Sequence, residues 1–595
     1  MRVALVVLAL ALLALSVNAG VLFQRTTVPK GWVMLGAAPS HAHINFTLGL
    51  ATQNSAELES LFWAVSDPES DQYLQYPTAA ELEERFGASQ EDRTAVTEWL
   101  QQAGVHAKQI KHVSSSIKVR TLVHTAAKLF NTEIRHFRHN TTGAVTYKAW
   151  GAYSLPKAIH QRVELVTGIS SFPVARRNPY KLPGAGRADI DEAVIPQTVA
   201  NLYGIRSQSV GSSSATQGVV EYEGQYFNNN DTARFAKDVG YTTRNTTIRP
   251  IPASHVVGTN MPSQPGVEST LDVQWMQAVN LEATTWFWIE DGQGWLYEFG
   301  THILNVTNPP QVLSTSYGWW EGDQCAIDGT ECQLLGVDSL GYTAAVNKLF
   351  QKIGLRGISM LVASGDSGAN SRTDDFCQTP QLRPEFPASS PFVTTVGATQ
   401  IVNGSYSVPH APAICNGKTL NCVWNGTEQA VSYGYSGFTS GGGFSNVSGA
   451  TRPKYQDAAV SAYLSSGVQL PPASYFNAAG RGEPDVAAVG HNGYIVVGGE
   501  AQLVGGTSMS SPIFAAVVSL LNEIALSQTE VPLGFVNPLL YRMAADQPST
   551  FTDVTVGDNI CTEYGCRDTC KGFYAAPGWG QHNTRPHHYK AAAAY

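Results

Sequence analysis

The hydrophobic pattern of the first third of the chain predicts a mixture of strands and helices. Residues 44–50 alternate apolar and polar side chains, as a half-buried strand does, and further strands are predicted at 117–123 and 134–138. Residues 80–86 and 91–103 carry apolar side chains at helical spacing. Because strands and helices alternate over a short segment, we expect a compact α+β unit.

The rest of the chain has longer apolar stretches. Residues 357–363 and 391–396 are predicted to be strands, residues 337–353 a helix, and the apolar run 513–521 a buried helix. Glycine-rich loops fall at the ends of the strands, where open parallel sheets bind ligands. The pattern therefore predicts an α/β domain with helices flanking a parallel sheet.

The N-terminus has the pattern of a secretory signal. Residues 1–19 contain one Arg, an apolar run and a final Val-Asn-Ala, which predicts cleavage after Ala19. No later apolar run reaches the ~18 residues that cross a bilayer, so no membrane span is expected. Eight Asn-x-Ser/Thr sequons fit a glycosylated protein of the secretory pathway. They begin at Asn45, Asn140, Asn230, Asn245, Asn305, Asn403, Asn425 and Asn446.

Cysteine usage fits the same compartment. All eight cysteines lie between Cys325 and Cys570, and an even number in an oxidising compartment favours disulfides over a metal cluster. The close pairs Cys325/Cys332 and Cys415/Cys422 could each close a short loop. Three pairings are open to the other four, which are Cys377, Cys561, Cys566 and Cys570.

Charge divides the chain into two parts. Residues 20–187 carry 18 Lys and Arg against 13 Asp and Glu, a net charge of +5, whereas residues 188–595 carry 19 against 34, a net charge of −15. The segment 171–187 is rich in Pro, Gly and Arg, which predicts an exposed, cleavable linker. We therefore expect a signal peptide at 1–19, an N-terminal domain at 20–187 and a main domain at 188–595. The acidic main domain and the lack of a basic stripe argue against a nucleic-acid partner.

A candidate nucleophile precedes the buried helix. Residues 505–512 read Gly-Gly-Thr-Ser-Met-Ser-Ser-Pro. Glycines allow a tight turn and Pro512 suits the first turn of a helix, so Ser508 is expected near a helix N-terminus. Free backbone N–H groups there can hold an anion, and a Ser in this position can attack a carbonyl. The alternative is a serine-rich helix cap.

Three acidic residues form two further motifs. Glu268 and Asp272 lie four residues apart, so on a helix they share one face. Like charges at this spacing destabilise an isolated helix, which favours a functional role for the pair over a structural one. Asp366 follows an apolar strand in the sequence Ser-Gly-Asp-Ser-Gly. The alternative for Asp366 is an Asx residue that caps a turn.

Taken in order, these three motifs resemble those of the sedolisin family of serine-carboxyl peptidases, and most closely its lysosomal tripeptidyl-peptidases. The resemblance covers essentially the whole chain after the signal peptide. It implies a subtilisin-like fold for the main domain, preceded by an α+β, ferredoxin-like prosegment that inhibits the enzyme and aids its folding. Further matching segments are Phe-Pro-Ala-Ser-Ser-Pro at 386–391, Ser-Gly-Gly-Gly-Phe-Ser-Asn at 440–446, Ser-Tyr-Phe-Asn at 474–477 and Pro-Asp-Val-Ala-Ala at 484–488.

The resemblance implies catalytic roles for four residues. Glu268 accepts the proton of Ser508, Asp272 hydrogen-bonds to Glu268 and shares that proton, and a protonated Asp366 donates to the oxyanion. A carboxylic acid can donate only below its pKa, so activity is expected at acidic pH. A subtilisin-type triad would need a His, but no matching acid block precedes the nearest candidate, His255, which is not expected to be catalytic.

The resemblance also implies the substrate. It places Ser440, Gly441, Gly442 and Gly443 in a substrate-binding strand whose backbone pairs with an extended peptide, although the same residues could be a flexible linker. It favours release of tripeptides from free N-termini of peptides and unfolded proteins. An endopeptidase of the same mechanism is the alternative, because no local motif proves a blocked cleft. An inactive binding protein is disfavoured because all four catalytic residues are present.

A C-terminal segment resembles the family's calcium site. Asp553 would supply a carboxylate and Val554 a backbone carbonyl, with further oxygens from the loop that contains Ala576 and Gly578. The family has a second carboxylate in that loop where this chain has Gly580. We therefore expect one weakly bound Ca²⁺, or a C-terminus that departs from the ordinary gene product.

The resemblance further implies a disulfide from Cys377 to the C-terminal cysteines, and a location in the lysosome, in an equivalent acidic vacuole or outside the cell.

Eight of the fifteen histidines lie between residues 41 and 160, before the expected cleavage region. Because His gains charge on acidification while carboxylates lose theirs, we expect acid to loosen the contact between the oppositely charged prosegment and main domain and to start self-processing.

Overall fold

The structure is a computed structural model that describes residues 20–28, 31–140, 143–170, 191–205, 214–222, 224–243, 246–290, 295–324, 339–416, 420–446 and 451–576. The expected signal peptide, the linker and the boundary at 187/188 lie outside the described residues, so the division of the chain at these points stays a prediction. The described chain forms an N-terminal unit up to residue 170 and a larger unit from residue 191.

The N-terminal unit contains two four-stranded antiparallel sheets, in the orders β1-β7-β6-β2 and β4-β5-β3-β8. Its strands are Gly20–Arg25 (β1), Trp32–Ala37 (β2), His43–Leu50 (β3), Ile110–Val113 (β4), Ser116–Leu122 (β5), Glu133–His139 (β6), Val145–Leu155 (β7) and Val163–Thr167 (β8). Its helices are Ser55–Ser66 (α1), Ala79–Phe86 (α2), Gln90–Gln102 (α3), Val123–Leu129 (α4) and Lys157–His160 (α5).

The second of these sheets has the expected ferredoxin-like arrangement. Along the chain its strands and main helices follow the order strand, helix, strand, strand, helix, strand, with β3 in the interior of the sheet. The predicted helices and strands of this unit are present within one residue of their expected ends. The start of α2 is fixed by a capping box, in which Thr78 and Glu81 each accept from the other's backbone N–H.

The larger unit has many short strands and nine helices among its described residues. The strands are Asp191–Ala193 (β9), Thr216–Glu221 (β10), Thr242–Thr243 (β11), Thr246–Thr247 (β12), Val256–Val257 (β13), Thr284–Ile289 (β14), Val312–Thr315 (β15), Trp319–Trp320 (β16), Ser359–Ala363 (β17), Glu385–Phe386 (β18), Thr394–Ser405 (β19), Leu420–Cys422 (β20), Asn425–Ala430 (β21), Gly443–Phe444 (β22), Gly482–Glu483 (β23), Val486–Val489 (β24), Gly493–Val497 (β25) and Glu500–Val504 (β26). The helices are Pro196–Leu202 (α6), Asn229–Asp238 (α7), Val267–Val279 (α8), Trp295–Ile303 (α9), Ser339–Gly354 (α10), Tyr433–Ser436 (α11), Asp457–Leu464 (α12), Thr507–Thr529 (α13) and Asn537–Asp546 (α14).

The main sheet has eight strands in the order β13-β14-β10-β15-β17-β19-β21, with β24 also paired to β19. Every pair is parallel except β19 with β21, which is antiparallel. The expected subtilisin-like α/β domain with a parallel sheet is therefore confirmed, with one antiparallel edge added.

Both faces of this sheet are buried. On β15, Val312 belongs to the core that contains α8 and α13, whereas Leu313 belongs to the core that contains α9 and α10. On β17, Leu361 and Val362 alternate in the same way. Because alternate residues meet different helices, the strands read as continuous apolar runs.

Three sequence expectations need correction in detail. The strand expected at 391–396 begins at Thr394 and continues to Ser405, because its second half pairs with β21. The helix α13 begins at Thr507, so Pro512 lies inside it rather than in its first turn. By length and composition α13 could cross a membrane, but 72% of its apolar window is buried in the protein, as in a core helix.

Three disulfides join described residues: Cys377 to Cys570, Cys415 to Cys422 and Cys561 to Cys566. They confirm the short pair and the expected link from Cys377 to the C-terminal group. The other expected pair, Cys325/Cys332, lies outside the described residues. Disulfides fit a protein of an oxidising compartment.

The N-terminal unit packs against the face of the larger unit that carries α9 and α10. Phe62 of α1 is fully buried there, with ring centroids 5.2 Å from Phe392 and 5.0 Å from Phe535. The ammonium of Lys352, on α10, donates to the backbone carbonyl oxygen of Phe86 at 2.8 Å. Phe86 is the last residue of α2. Burial lowers the pKa of Lys352 to about 8.

Candidate active site

The candidate site lies at the carboxyl ends of neighbouring parallel strands. Glu221 ends β10, Ser316 follows β15 and Asp366 follows β17. Two helices bring the remaining residues: Glu268 and Asp272 lie on α8, and Ser508 is the second residue of α13. This edge is where open parallel sheets form ligand sites.

Ser508 and Glu268 interact directly. The Ser508 hydroxyl lies close enough to the Glu268 carboxyl for their hydrogen-bonding interaction to lower the pKa of Glu268, and both side chains are buried. The backbone of Ser508 is also unusual. Pro512 has no N–H to donate to the Ser508 carbonyl oxygen four residues earlier, and the hydroxyl of Ser316 lies 3.5 Å from that oxygen instead.

Glu268 and Asp272 form a buried acidic pair. Burial raises the pKa of both carboxyls well above the usual range, and the charge of Glu268 raises that of Asp272 further. Asp272 Oδ2 accepts from the Ser316 hydroxyl at 2.7 Å. Glu268 Oε1 and Asp272 Oδ1 have no donor among the described residues. A buried carboxyl oxygen without a donor favours the protonated, neutral form of its group.

A third carboxyl, Glu221, belongs to the same group. It is fully buried, and burial raises its pKa to about 8. The phenol of Tyr317 donates to Glu221 Oε2 at 2.9 Å, and the charge of Glu221 raises the pKa of both Glu268 and Asp272. Sequence reasoning missed Glu221, although an acidic residue that ends the apolar strand Gly-Val-Val was a usable signal.

Asp366 lies beside the backbone of the nucleophile's helix. Its Oδ1 accepts from the backbone N–H of Thr507 at 2.8 Å and from the Thr507 hydroxyl at 2.9 Å. Burial raises the pKa of Asp366, whereas the charge of Arg372 and the bonds from Thr507 oppose that rise. The preceding Gly365 has φ +100° and faces the carboxyl of Glu385, where a side chain would be strained and without space.

The expected substrate strand runs next to this loop. Gly441 donates its N–H to the Gly365 carbonyl oxygen at 2.6 Å, and a Cβ on Gly441 would lie 1.9 Å from the Ser364 oxygen, so only glycine fits. Gly443 pairs with Glu483 in a two-stranded ribbon. The Ser440 hydroxyl accepts from Ala398 N–H at 2.9 Å and is buried. The segment is thus held by backbone and side-chain contacts, with a short strand at Gly443–Phe444, and is not a flexible linker.

The calcium segment is described only in part. The side chain of Asp553 is exposed, and Val554 and Ala576 are buried. Gly578 and Gly580 lie outside the described residues. One carboxylate and two backbone carbonyls fall short of the roughly six oxygens that Ca²⁺ takes. Within the described part of the chain, no group of three or more His, Cys, Asp or Glu could hold a metal ion.

Comparison with known proteins places these features in a family. Residues 30–172 match the activation domain of Pro-kumamolisin, and residues 252–533 match the subtilase family of peptidases. Physarolisin from Physarum polycephalum is 37% identical over 93% of both chains. Tripeptidyl-peptidase 1 from Homo sapiens is 32% identical over 93% of this chain and 92% of its own. The chain belongs to the sedolisin family of serine-carboxyl peptidases.

Membership makes this sedolisin a serine-type peptidase with an N-terminal activation prosegment. A solved structure of Pseudomonas sedolisin, a serine-carboxyl proteinase, is also similar, with 20% identity and a TM-score of 0.47 over 67% of this chain and 95% of that one. The N-terminal unit is called the prosegment below, and the larger unit the peptidase domain.

Proposed function

We propose that this sedolisin releases tripeptides from free N-termini at acidic pH, with Ser508 as nucleophile, Glu268 as general base, Asp272 as its partner and Asp366 as oxyanion donor. The observation that supports this best is the hydrogen-bonding interaction of Ser508 with Glu268, a buried carboxyl whose charge also acts on Asp272 and interacts with that of Asp366. Nucleophile and base in hydrogen-bond contact, with a third group behind the base, is the arrangement that activates a serine.

The reaction follows from these contacts. As the Ser508 oxygen bonds to the substrate carbonyl carbon, Glu268 takes the hydroxyl proton, and Asp272 stabilises the protonated base. The carbonyl oxygen becomes an oxyanion, which accepts from protonated Asp366. When the C–N bond breaks, Glu268 returns the proton to the leaving amine. Water then attacks the ester by the same route and frees Ser508.

The pH dependence follows from two opposite requirements. Asp366 must carry its proton, so activity falls as pH rises through its pKa. The pair Glu268 and Asp272 must have lost at least one proton, so activity falls as pH drops below the pKa of that step. Because burial raises all three pKa values, both limits lie above those of exposed carboxyls.

The exopeptidase assignment rests on similarity to tripeptidyl-peptidase 1. We expect a peptide with a free N-terminus to release its first three residues as one product, and the N-acetylated form of the same peptide to resist cleavage. Mass spectrometry of the products measures both results. Equal internal cleavage of the two peptides would show an endopeptidase instead.

We further propose that the prosegment inhibits the enzyme and that acid loosens it. The Lys118 ammonium, on β5, donates to Nε2 of His302 on α9, and Nδ1 of His302 lies 2.7 Å from Glu290 Oε2. This bond joins the prosegment to the peptidase domain, and it requires an Nε2 that carries no proton. The other charged residues of the surrounding 920 Å³ cavity are Lys108, Lys111, Arg120 and Glu298.

Calcium binding by Asp553 is proposed as weak. If so, EDTA should lower the melting temperature only of samples held in millimolar Ca²⁺, and Asp553→Asn should remove that difference. Thermal unfolding with and without EDTA measures this. Calcium that survives dialysis against buffer without metal would contradict the weak site.

The secretory signal, the sequons and the disulfides support the proposal that this peptidase works in a lysosome or equivalent acidic vacuole, or outside the cell. Its proposed substrates are peptides and unfolded proteins, because a chain must be extended for its backbone to pair with residues 441–443.

A further inference from the structure

Arg372 occupies a position between two acidic side chains. Its Nη2 lies 4.0 Å from Asp366 Oδ2, and its Nε lies 4.0 Å from Glu563 Oε1. The guanidinium also lies over the ring of Trp319, with 5.9 Å between Cζ and the ring centroid. Four-fifths of the Arg372 side chain is buried, so solvent screens these charges less than on the open surface.

Glu563 is held in place by the C-terminal disulfides. It is one of the four residues between Cys561 and Cys566, which are joined by a disulfide. The hydroxyl of Thr562 donates to the Asp375 carbonyl oxygen at 2.8 Å, which fixes this span against the loop that carries Arg372. The disulfide from Cys377 to Cys570 joins the same two segments. The position of Glu563 is therefore set by cross-links and not by a free loop.

We propose that Arg372 is a positioning residue for Asp366 and that Glu563 is its counter-charge. The opposing charges of this pair determine up to which pH Asp366 keeps its proton, and so set the upper pH limit of the peptidase. The proposal rests on the proposed role of Asp366 as a protonated oxyanion donor. It deepens that role by naming the residues that decide over which pH range the donor is available.

The charges that face Asp366 determine the sign of each effect. The cation of Arg372 favours ionised Asp366, and the anion of Glu563 disfavours it. Glu268 and Glu385 are the other acids whose charges interact with Asp366. Arg372 also lowers the pKa of Glu268, whereas Glu563 is not among the main charges that act there. The two residues should therefore change the pH profile differently.

Two substitutions test these signs. Arg372→Gln removes the cation, so both the acid limb and the alkaline limb of the kcat/KM profile should move to higher pH, by about 1 pH unit for a charge at this distance. Glu563→Gln removes the anion, so the alkaline limb should move to lower pH by a smaller amount. Profiles are recorded twice, for self-processing of the full-length chain and for hydrolysis of a peptide by the processed enzyme.

If Arg372→Gln does not fold, two further variants test whether the charge at position 372 acts on Asp366. Arg372→Lys retains the charge and should restore most of the original profile. Arg567→Gln is a matched control. The Arg567 guanidinium lies over the ring of Phe376, a residue of the loop that carries Arg372, but it is not among the main charges that act on Asp366. Its profile should not move.

The two hypotheses fail in different ways. In an Asp366→Asn background residue 366 has no carboxyl proton to lose. Glu563→Gln should therefore no longer move the alkaline limb of the profile. An unmoved limb for Glu563→Gln in the original enzyme, or equal movement in both backgrounds, would overturn the role of Arg372 and Glu563. Full activity of Asp366→Ala would instead overturn the proposed role of Asp366 itself.

Discussion

Ser508→Ala should reduce kcat/KM by at least about 10⁴-fold while leaving the fold intact. The substitution removes the only atom that forms the covalent bond in the proposed mechanism, and losses of this size are typical for a serine nucleophile. Melting temperature should change little, because Ala fits where Ser508 stands. The measurement is peptide hydrolysis at acidic pH, together with thermal unfolding of both proteins.

The same variant tests self-processing. After a shift from neutral pH to about pH 4, the original full-length chain should be cut between residues 176 and 190, in the linker or just after it, at a rate independent of concentration. Purified Ser508→Ala should stay uncut. Ser510→Ala is the matched control, because its hydroxyl donates to the Ala488 carbonyl oxygen and should not affect the reaction. Processing of the pure Ser508→Ala chain would contradict the proposal.

Asp366→Ala should lower kcat by about 10²- to 10³-fold, the usual cost of removing one oxyanion donor. Asp366→Asn should retain more activity. Its amide oxygen can still accept from Thr507, and its NH₂ group donates without a titrating proton. The fall in activity toward neutral pH should therefore become shallower in Asp366→Asn. Kinetics across the pH range, with circular dichroism as a check on folding, measures this.

The comparison between the two variants decides the role of Asp366. Equal collapse of Asp366→Ala and Asp366→Asn at every pH would mean that the residue does not act as a hydrogen-bond donor to the oxyanion. The pH profile separates this role from a purely structural one: Asn preserves the contact with Thr507 in either case, but only a donor role makes the fall in activity toward neutral pH shallower.

Periodicity predicted the elements of the prosegment well, because each has one buried face and one exposed face. It also predicted correctly which of the segments named in the peptidase domain are strands and which are helices. The ends of strands were less accurate there. Thr394–Ser405 extends beyond its apolar half because its partner β21 comes from 20 residues further along the chain, and no local pattern records that partner.

The same limit applies to the site. Ser508, Glu268, Asp272 and Asp366 could be proposed as site residues from the sequence because each lies in a recognisable local motif. Glu221 and Glu563 were missed because their relevance depends on the packing of distant segments. Their neighbours in sequence say nothing of the charges they face. Burial, and hence each pKa direction, likewise becomes visible only once the sheet and helices are assembled.

The aromatic contact between the two domains separates two events that are usually measured as one. Phe62 and Trp63 hold the prosegment to Phe392 and Phe535, far along the chain from the linker where we expect cleavage. Cleavage leaves this contact in place, so a nicked chain remains a two-piece complex until it dissociates. Product formation should therefore lag behind the appearance of the shorter band on a gel, and dilution should increase the final activity per enzyme molecule, by preventing rebinding, without changing the rate of cutting.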